Sequence, residues 1–400
     1  MITRPQMSGA AAPPADGRRV LMIEQGGRGG VADYTGELTR ALGADGFQVC
    51  LATAADHRYQ PAPGVSVCGV FHYVRGHTRL ARWARRSGLG PLANGTRFLL
   101  AIPRLVRLSR RAEIVHTQGW EFDPLGVLAI ACLRLTGVPV VQTSHNTFDR
   151  GRSWDGTHRA LARLTTRTIV HTQADLARTP PQADGRVVVI PHGEYGSLAH
   201  SGGTVDREHA RAALGIGADA PVTLLFGQLR PDKGLGDLLA ALTRVPRLHV
   251  LIGGQETGAL AAAAGQLSSA ELAGRVTVRE GFLEMTEAAQ LFAATDTVVL
   301  PYRIASQSGV LLLAYGFRRA VIVYPVGGLV EAVVDGETGW ICARPDVDAL
   351  VDALKASVAA GWAECRRRGE VGNTLARERY AWPSAAARTG EVYREVLAGG

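Results

Sequence analysis

The chain has 400 residues, which is long enough for two or three domains that each bury a core. Its hydrophobic content of 46% and charged content of 20% are typical of an ordinary soluble globular protein. We expect no spanning helix, because no apolar run approaches ~18 residues, and no signal peptide, because the N-terminal tail is Ala/Pro-rich. We also expect no zinc site or disulfide frame, because the five cysteines are scattered.

Charge is distributed unevenly along the chain. Residues 1–200 contain 24 arginines and 14 acidic residues, whereas residues 201–400 contain 20 basic and 22 acidic residues. Such asymmetry bears on partners rather than on fold. Only two lysines occur, Lys233 and Lys355, and the first stands beside a glycine of a candidate phosphate loop. Either chance or a requirement for a compact ammonium group at that position explains this.

The N-terminal part begins with a βαβ pattern. Its strand, glycine-rich turn, helix and second strand are predicted at Arg19–Glu24, Gln25–Gly30, Val31–Leu42 and Gln48–Thr53. Gly27, Gly29 and Ala32 fit the spacing of a dinucleotide-binding turn, with Asp56 as the candidate ribose ligand. However, Asp56 lies 27 residues beyond Gly29, whereas ~20 is expected. A glycine turn that lets strand and helix pack closely explains the pattern equally well.

The segment from residue 57 to residue 112 is strongly basic, with 11 arginines and no acidic residue. Within it, Leu99–Leu108 is predicted to be a helix that places Arg104 and Arg107 beside an apolar stripe. A solvated basic face is the commonest interpretation of such a run. Association with an anionic membrane surface, with shallow insertion of side chains such as Phe98, Leu99 and Leu105, comes second. Nucleic-acid binding is a distant third.

Histidines stand at the ends of predicted strands. The strand patterns in this region are Ile114–Gln118, Val138–Thr143, Ile169–Gln173 and Val187–Ile190. Lone histidines in such places are often hydrogen-bonded loop residues. His145 is favoured over that interpretation because it follows Thr143, and the carboxyl ends of parallel strands face the ligand crevice. His116 is a weaker candidate for contacts with an acceptor.

Strand and helix patterns alternate in the second half, which predicts a parallel, doubly wound sheet. A connection at 193–220 with a short helix, Arg207–Leu214, comes first. The predicted strands are Val222–Phe226, His249–Ile252, Val276–Arg279, Thr297–Leu300 and Ala320–Tyr324. Asp346 and Asp348 have the spacing of a D-x-D metal motif, but the helix pattern Val347–Val358 favours N-capping instead.

Two loops in this half offer complementary groups to an anion. Ser306–Gly309 precedes an apolar helix pattern, Val310–Phe317, whose N-terminal amides and dipole favour negative charge. The upstream loop Gly227–Gly234 carries two cations, Arg230 and Lys233. Together the loops would suit a diphosphate.

An ordered series of short motifs resembles the donor half of retaining GT-B glycosyltransferases of family 4, and the resemblance extends over nearly the whole chain. The motifs are Gly227-x-x-Arg-Pro-x-Lys-Gly234, Gly281-Phe-Leu283, Asp296-x-x-x-Leu-Pro-Tyr302, Ser308-Gly-Val-Leu311, Gly327-Gly-x-x-Glu331 and Asp335-Gly-x-x-Gly339. The resemblance implies an α/β protein of two Rossmann-like, doubly wound parallel-sheet domains that face each other across a cleft. The implied division is a tail at 1–17, an acceptor-side domain at 18–195, a linker at 196–220, a donor-binding domain at 221–379, and a helix at 380–400 that packs back on the first domain.

The resemblance also implies roles for individual residues. The donor would be bound by Arg230, Lys233, Phe282, Leu283, Gln307, Ser308, Gly309 and Glu331. Gly29, Gly30 and His116 would face the donor phosphate and the acceptor, and His145 would be the catalytic residue near the reacting sugar. Neither a metal ion nor a cofactor besides the nucleotide sugar is expected, because the cations would take the place of a metal.

The chain departs from the family pattern at two places. Many members carry two glutamates eight residues apart, and those positions hold Ala305 and Leu313 here. The arginine that usually follows the first loop glycine is Gln228, and Arg230 is the candidate substitute. The phosphate contacts therefore keep their residues, whereas ribose recognition and carboxylate assistance at the anomeric carbon lose theirs.

The function expected from the sequence is metal-independent transfer of a sugar, with retention, from a nucleotide-diphosphate sugar to a glycan or lipid-linked acceptor. We expect a cytoplasmic protein that associates with an anionic membrane surface at its inner face and does not bind nucleic acid. Alternatives are a non-catalytic nucleotide-sugar-binding protein, which the two missing glutamates favour, and an NAD-type oxidoreductase, which the first glycine turn favours. A nucleotide-sugar epimerase is a third alternative.

Overall fold

The structure is a computed structural model and describes residues 17–74, 89–120, 123–145, 156–179 and 185–399. Its contacts divide the chain into two compact units. The first unit comprises residues 1–143, 160–167 and 382–400, and the second comprises residues 144–159 and 168–381. The domain boundaries given above from the sequence stay a prediction.

The first sheet has seven strands. They are β1 (Arg19–Ile23), β2 (Gln48–Ala54), β3 (Val65–Phe71), β4 (Ile114–Thr117), β5 (Val140–Thr143), β6 (Arg167–Val170) and β7 (Val187–Val189), in the order β3-β2-β1-β4-β5-β6-β7. The helices that alternate with them are α1 (Gly30–Ala44), α2 (Gly90–Ser109), α3 (Asp123–Arg134), α4 (Gly156–Leu164) and α5 (Gln173–Ala177).

The second sheet has six strands, and every neighbouring pair is parallel. They are β8 (Val222–Phe226), β9 (His249–Gly254), β10 (Val276–Glu280), β11 (Thr297–Leu300), β12 (Ala320–Val323) and β13 (Gly339–Ile341), in the order β10-β9-β8-β11-β12-β13. The helices are α6 (Gly196–Ser201), α7 (Arg207–Leu214), α8 (Leu235–Leu242), α9 (Ala259–Ala262), α10 (Ala264–Leu267), α11 (Met285–Ala294), α12 (Gly309–Gly316), α13 (Leu329–Ala332), α14 (Val347–Arg379) and α15 (Trp382–Ala398). The predicted fold class of parallel-sheet α/β units is confirmed.

Some elements differ from the sequence prediction. The predicted helix Leu99–Leu108 is the second half of the longer α2, whose first turn holds Pro91, where a missing N–H costs nothing. Strand β3 has no counterpart among the predicted strands, because much of it is only half-buried. Helix α14 runs beyond the predicted end at Val358 and crosses a break at Gly361, whose φ is 73°.

The two aspartates of the D-x-D pattern bind partners within the protein. The Asp346 carboxylate accepts a hydrogen bond from the Ala349 N–H at 2.9 Å, so the predicted N-cap of α14 is confirmed. Asp346 also binds Arg344, and Asp348 binds Arg244. Helix capping and surface ion pairs therefore account for both carboxylates.

Helix α15 packs on α1 within the first unit. The ring centroids of Tyr34 and Trp382 lie 5.2 Å apart in an edge-on arrangement, and those of Phe47 and Tyr393 lie 5.6 Å apart. Aromatic pairs of this geometry stabilise a contact beyond the area that they bury. The last helix is therefore part of the core of the first unit.

A buried ion cluster centred on Asp296 ties the N-terminus of β8 to that of β11. The Arg211 guanidinium is 1% exposed and lies 2.8 Å from one Asp296 oxygen, while the Arg207 guanidinium lies 3.0 Å from the same oxygen. The other Asp296 oxygen accepts the Val222 N–H at 2.8 Å. Arg211 also donates to the carbonyls of Ala218 and Ala220, both at 2.7 Å.

We expect Asp296→Ala to lower the free energy of unfolding of the second unit by about 3–5 kcal/mol, because it leaves the buried Arg211 charge unpaired. Asp348→Ala is the matched control, since its pair with Arg244 is exposed and should contribute less than ~1 kcal/mol. Urea titration of both variants measures the difference. Equal small losses in the two variants would contradict the role given to the Asp296 cluster.

Candidate active site

The loop between β8 and α8 is pressed against the end of β11. Gly234 has a φ of 73°, and a Cβ at this position would lie 2.0 Å from the Pro301 carbonyl oxygen. Only glycine allows so close an approach in this backbone conformation. The contact brings the residues next to each partner, Lys233 and Tyr302, together.

Lys233 places its ammonium group over an aromatic ring. Its Nζ lies 3.6 Å from the centroid of the Tyr302 ring, which is a cation–π contact. Burial, followed by the nearby Arg230 charge, lowers the pKa of Lys233 to about 8. None of the carboxylates in the described ranges forms an ion pair with this ammonium, and the adjacent Asp232 is bound to Arg230. Lys233 is thus a cation available to an anionic ligand.

The second predicted cation of this loop is already paired. The Arg230 guanidinium donates to both Asp232 oxygens, from Nε at 2.8 Å and from Nη2 at 2.7 Å. The Asp232 carboxylate holds the pKa of Arg230 above its usual value, and Arg230 in turn lowers the pKa of Asp232. The positive charge of Arg230 is therefore held in place and neutralised by Asp232.

The N-terminus of α12 lies in the loop that follows β11. Ser308 is the N-cap, and its hydroxyl accepts from the Leu311 N–H at 3.3 Å. Burial raises the pKa of the Tyr302 phenol well above its ordinary value, and the nearby Ser308 side chain lowers it in part. The ring of Tyr195 borders Gly309, 3.1 Å from where a Cβ would be. The structure thus brings Lys233 and the start of α12, with Ser308 and Gly309, to the same end of β11 as Tyr302.

Three other donor-side residues have distinct environments. Gln307 has a buried Oε1 with no hydrogen-bond partner in the described part of the chain. Phe282 follows β10 with 52% of its surface exposed, as a residue that stacks on a flat ligand would. Leu283 is half-buried against Gly253.

Glu331 caps a helix. Its two carboxylate oxygens accept the main-chain N–H groups of Gln173 and Ala174, at 3.0 and 2.8 Å, at the start of α5. A carboxylate in that position complements the free amides of a helix N-terminus. This arrangement favours a structural role for Glu331 rather than the donor contact expected from the sequence.

His145 belongs to a cluster of three buried histidines and a tyrosine in the second unit. His145 Nδ1 lies 3.3 Å from His171 Nε2, the rings of His171 and His192 lie 5.3 Å apart, and the Tyr195 hydroxyl lies 3.4 Å from His192 Nε2. Burial lowers the pKa of His171, and burial together with His171 lowers that of His192 to about 3. Both rings are therefore neutral at physiological pH.

The main chain fixes the tautomers of this cluster. His171 Nδ1 lies 2.9 Å from the Ile190 carbonyl oxygen, and a carbonyl only accepts, so Nδ1 carries the proton. The Nε2 of the neutral ring is then an acceptor, and His145 must donate to it from Nδ1. If the His145 ring is neutral, this bond leaves its lone pair on Nε2, where it would accept a hydrogen bond from a hydroxyl group.

His116 does not occupy the position expected from the sequence. It is fully buried in the first unit, with Nδ1 at 2.6 Å from the Tyr393 hydroxyl and Nε2 at 2.8 Å from Thr143 Oγ1. Burial lowers its pKa to about 3. Both nitrogens serve the packing of α15 on the sheet, so the proposed acceptor contact is replaced by a structural role.

Glu24, which was not predicted to have a role, holds the first glycine turn in place. The buried Glu24 carboxylate accepts the N–H groups of Gly26 and Gly27 at 2.6 and 2.7 Å, and the hydroxyls of Thr53 and Tyr59 at 2.9 and 2.8 Å. An acidic residue at the end of an apolar strand, two residues before the glycine run, was the available signal.

The backbone of the glycine turn has open space beside it, but Asp56, the residue predicted to bind a ribose, already has a partner. Gly29 and Gly30 have no atom within 4 Å of a Cβ position, and Gly29 has a φ of 84°. Asp56 forms an ion pair with Arg28 at 3.1 Å, and the Arg28 side chain also donates to the Asp56 carbonyl. Asp56 is therefore paired within the turn, which weakens the dinucleotide interpretation.

Two family descriptions match the chain. "Glycosyltransferase Family 4" matches residues 28–193, and "Glycosyl transferases group 1" matches residues 220–359. Together the matches cover about three quarters of the chain. This chain belongs to glycosyltransferase family 4.

Individual relatives of this family 4 member are distant. The chain is 29% identical over 259 residues to D-inositol 3-phosphate glycosyltransferase of Mycobacterium bovis (strain BCG / Pasteur 1173P2), an alignment that covers 60% of this chain and 53% of the relative. The chain thus spans about half the length of the curated relatives that it matches.

Solved structures confirm the GT-B fold of the family 4 member. Sucrose-phosphate synthase from Thermosynechococcus elongatus superposes with a TM-score of 0.74 at 20% identity, over 96% of this chain and 100% of that one. Anabaena HepE in complex with UDP and glucose gives 0.73 at 18%, over 94% and 100%. At these identities the likeness shows the fold alone.

The tautomer assigned to His145 is directly measurable. We expect ¹⁵N NMR of the histidine-labelled full chain to show Nδ1–H and an unprotonated Nε2 for His145. His171→Phe removes the acceptor and should abolish this preference, whereas His209→Phe, at an exposed position, should leave it unchanged. A wild-type His145 protonated on Nε2, or one unaffected by His171→Phe, would contradict the assignment.

Proposed function

We propose that this family 4 glycosyltransferase moves a sugar from a nucleotide-diphosphate sugar to a hydroxyl group of a glycan or lipid-linked acceptor, with retention and without a metal ion. The observation that carries the proposal is the Lys233 ammonium, which lies over Tyr302 beside the N-terminus of α12 and pairs with no carboxylate of the described residues. Structures of HepE with UDP and with UDP-glucose support this substrate class.

The proposed site stabilises the charge that develops in the reaction. The acceptor oxygen forms a bond to the anomeric carbon, the bond from that carbon to the diphosphate oxygen breaks with its electron pair, and the acceptor proton passes to the departing diphosphate. Lys233 and the free amides at Ser308 and Gly309 would bind the diphosphate more strongly as its charge grows. Because preformed groups supply this stabilisation, a metal ion is not needed for it.

We propose retention without an enzyme nucleophile because the segment that follows β11 contains no carboxylate. Ala305 and Leu313 occupy the positions of the family's two glutamates and are 7% and 6% exposed, so they are packed as apolar residues. No Asp or Glu occurs between Asp296 and Glu331. A carboxylate nucleophile from this segment is therefore excluded, and we favour attack by the acceptor on the face from which the diphosphate departs.

His145 would contact a hydroxyl group of the reacting sugar or acceptor through Nε2. With Nδ1–H directed at His171, the Nε2 of a neutral ring would serve as a hydrogen-bond acceptor. The Asp56–Arg28 pair speaks against the NAD-type alternative. A non-catalytic nucleotide-sugar-binding protein is the second candidate, favoured by Ala305 and Leu313. Transfer or hydrolysis of the donor sugar distinguishes it from an enzyme.

Lys233→Ala should weaken nucleoside diphosphate binding by about 30-fold to several thousand-fold, because it removes one partner of a largely desolvated charge pair. Calorimetry with UDP, ADP and GDP in EDTA measures this. Lys355→Ala is the matched control, since Lys355 is exposed and is the only other lysine. We expect a smaller loss for Arg230→Ala, whose charge is balanced by Asp232. Unchanged affinity in Lys233→Ala, or binding abolished by EDTA, would contradict the proposed site.

The proposed membrane association is supported by the exposed face of α2. Leu92 and Leu100 are 70% and 73% exposed, and Arg104 and Arg107 are exposed on the same helix. A groove of about 370 Å³ beside this face is lined by Val70, His72, Arg97, Leu100, Ala101 and Arg104. Cations beside exposed leucines are typical of helices that lie on anionic lipid.

The structure corrects which side chains would insert. Phe98 and Leu105, which the sequence suggested for shallow insertion, are 4% and 0% exposed and belong to the core between α2 and the first sheet. Leu99, at 42% exposure, remains on the outer face with Leu92 and Leu100. None of the helices in the described ranges is long and apolar enough to cross a membrane. Residues 75–88 of the basic segment lie outside the described residues.

Liposome co-sedimentation tests the α2 surface. Binding should require anionic lipid and weaken as salt rises, because each nearby cation contributes ~1 kcal/mol through the negative surface potential. It should also fall when Leu92 and Leu100 become Ser, because these exposed apolar side chains would bury area in the lipid. Leu135→Ser is the matched control, at a leucine that is 88% exposed outside α2. Equal binding to neutral vesicles, or equal loss in the control, would contradict this surface.

A further inference from the structure

The strand pairing of the first sheet brings two cysteines into contact. The sulfur atoms of Cys50 in β2 and Cys68 in β3 lie 3.6 Å apart. The two residues are 18 positions apart in the sequence, a spacing that matches no metal-binding pattern of cysteines. The fold therefore creates a pair of neighbouring thiols that the sequence alone does not predict.

The strand register places both sulfur atoms on one face of the sheet. The partner of Cys50 is Ser66, two residues before Cys68. Side chains two residues apart on a strand point to the same face, so the two cysteines are diagonal neighbours on that face. Burial increases along it, because Ser66 is exposed, both cysteines are half-buried and Val70 is 3% exposed. The thiol pair thus lies at the border between solvent and core, where a small ion can reach it.

A bridging ion fits this pair better than a direct disulfide does. A disulfide joins residues whose Cα atoms are ~4.4–6.8 Å apart, whereas diagonal neighbours on adjacent strands are about 7–8 Å apart. Two metal–sulfur bonds of about 2.3 Å, in contrast, span a sulfur separation of up to ~4.6 Å. The 3.6 Å between Cys50 Sγ and Cys68 Sγ lies within that span, so neither strand has to move.

The available ligands select the kind of ion. Thiolates are soft donors, which bind soft ions such as Cu(I) in preference to Mg²⁺ or Ca²⁺. Among the residues that the structure describes, no group of three or more His, Cys, Asp and Glu side chains could hold a metal ion, so the pair offers two ligands of these types. Structural zinc sites use four protein ligands, whereas two thiolates suffice for Cu(I).

The charge around the pair also suits a copper–thiolate group. Binding of Cu(I) breaks two S–H bonds, forms two S–Cu bonds and releases two protons to solvent, and no atom changes its oxidation state. The resulting group carries one negative charge. Residues 57–112, which include β3 and the helix α2 that packs on it, contain 11 arginines and no acidic residue. The positive local field of these arginines stabilises such an anion.

We propose that Cys50 and Cys68 form a binding site for one soft, thiophilic metal ion, of which Cu(I) is the biological example. A bound ion would join β2 to β3, the edge strand of the first sheet, and so stabilise this edge. The inference goes beyond the proposed function and does not depend on it, because both cysteines lie in the first unit and the residues proposed to bind the diphosphate lie in the second.

Competition with bicinchoninate under nitrogen tests the site. The reduced full chain is titrated into the coloured Cu(I)–bicinchoninate complex, and native mass spectrometry counts the bound ions. We expect one copper ion per chain. Cys50→Ser and Cys68→Ser should each weaken Cu(I) affinity at least about 100-fold, because only one soft ligand remains. Cys132→Ser is the matched control, since Cys132 is another half-buried, free cysteine of the first unit.

Two further measurements separate ligand loss from misfolding. Without copper, the Tm of each serine variant should equal that of the wild type within ~2 °C, and copper should raise the Tm of the wild type but not of the Cys50→Ser or Cys68→Ser chain. Phenylarsine oxide, a reagent that bridges two close thiols, needs no variant. One equivalent should protect Cys50 and Cys68 of the wild type from alkylation and leave Cys132 reactive.

Four results would overturn the proposal. The first is a wild-type chain that takes no copper from bicinchoninate, and the second is an equal loss of Cu(I) affinity in Cys132→Ser. Zinc bound as tightly as Cu(I) through Cys50 and Cys68 would replace the soft ion by a different class. A disulfide between these two residues after treatment with oxidised glutathione, in a chain that binds no copper when reduced, would show a redox pair instead of a metal site.

Discussion

The candidate donor site depends on the contact between Gly234 and the Pro301 carbonyl, where a side chain would lie 2.0 Å from the oxygen. This contact joins the loops that follow two adjacent parallel strands, β8 and β11. Lys233 precedes one partner and Tyr302 follows the other, so the ammonium is placed over the ring without a dedicated ion pair. The N-terminus of α12 begins only a few residues later. A cation, a ring and a set of free amides are therefore positioned by backbone packing.

Charge in the second unit is used in two different ways. The Asp296 cluster pairs every buried charge with a partner and joins the starts of β8 and β11. At the opposite ends of the same strands, Lys233 is half-buried without such a pair, and its pKa is lowered to about 8. A binding site for an anion requires this second arrangement, because a cation already neutralised by a carboxylate contributes little to binding. Arg230, held by Asp232, illustrates the difference within the same loop.

Much of the fold could be predicted from the sequence, because buried parallel strands are short apolar runs between glycine and polar loops. The placement of Lys233, Ser308 and Gly309 could be predicted for the same reason, because they lie in the loops that follow strand ends. The roles of His116 and Glu331 could not be predicted, because their partners, Tyr393 and the amides at the start of α5, are distant in sequence.

Other features are invisible at the level of sequence pattern. The apolar run that contains Phe98 and Leu105 predicts a helix, but it does not predict which side of that helix faces the core. The Ile190 carbonyl oxygen sets the tautomer of His171, and His171 in turn fixes which nitrogen of His145 donates to it. Each of these features is set by tertiary packing, which the linear pattern does not contain.

The most direct test of the account is proton uptake on nucleotide binding. The pKa of Lys233 is lowered to about 8, and a bound diphosphate would raise it, so binding at pH 8.5 should take up a proton and should weaken as pH rises above about 8. The nucleotide phosphate, whose second pKa is ~6, is already ionised there. Calorimetry in two buffers of different ionisation enthalpy, with the tightest-binding of UDP, ADP and GDP, should show uptake of roughly 0.5–0.8 proton in the wild type and none in Lys233→Met. Equal uptake in both proteins, or none in either, would contradict the central claim that Lys233 binds the diphosphate.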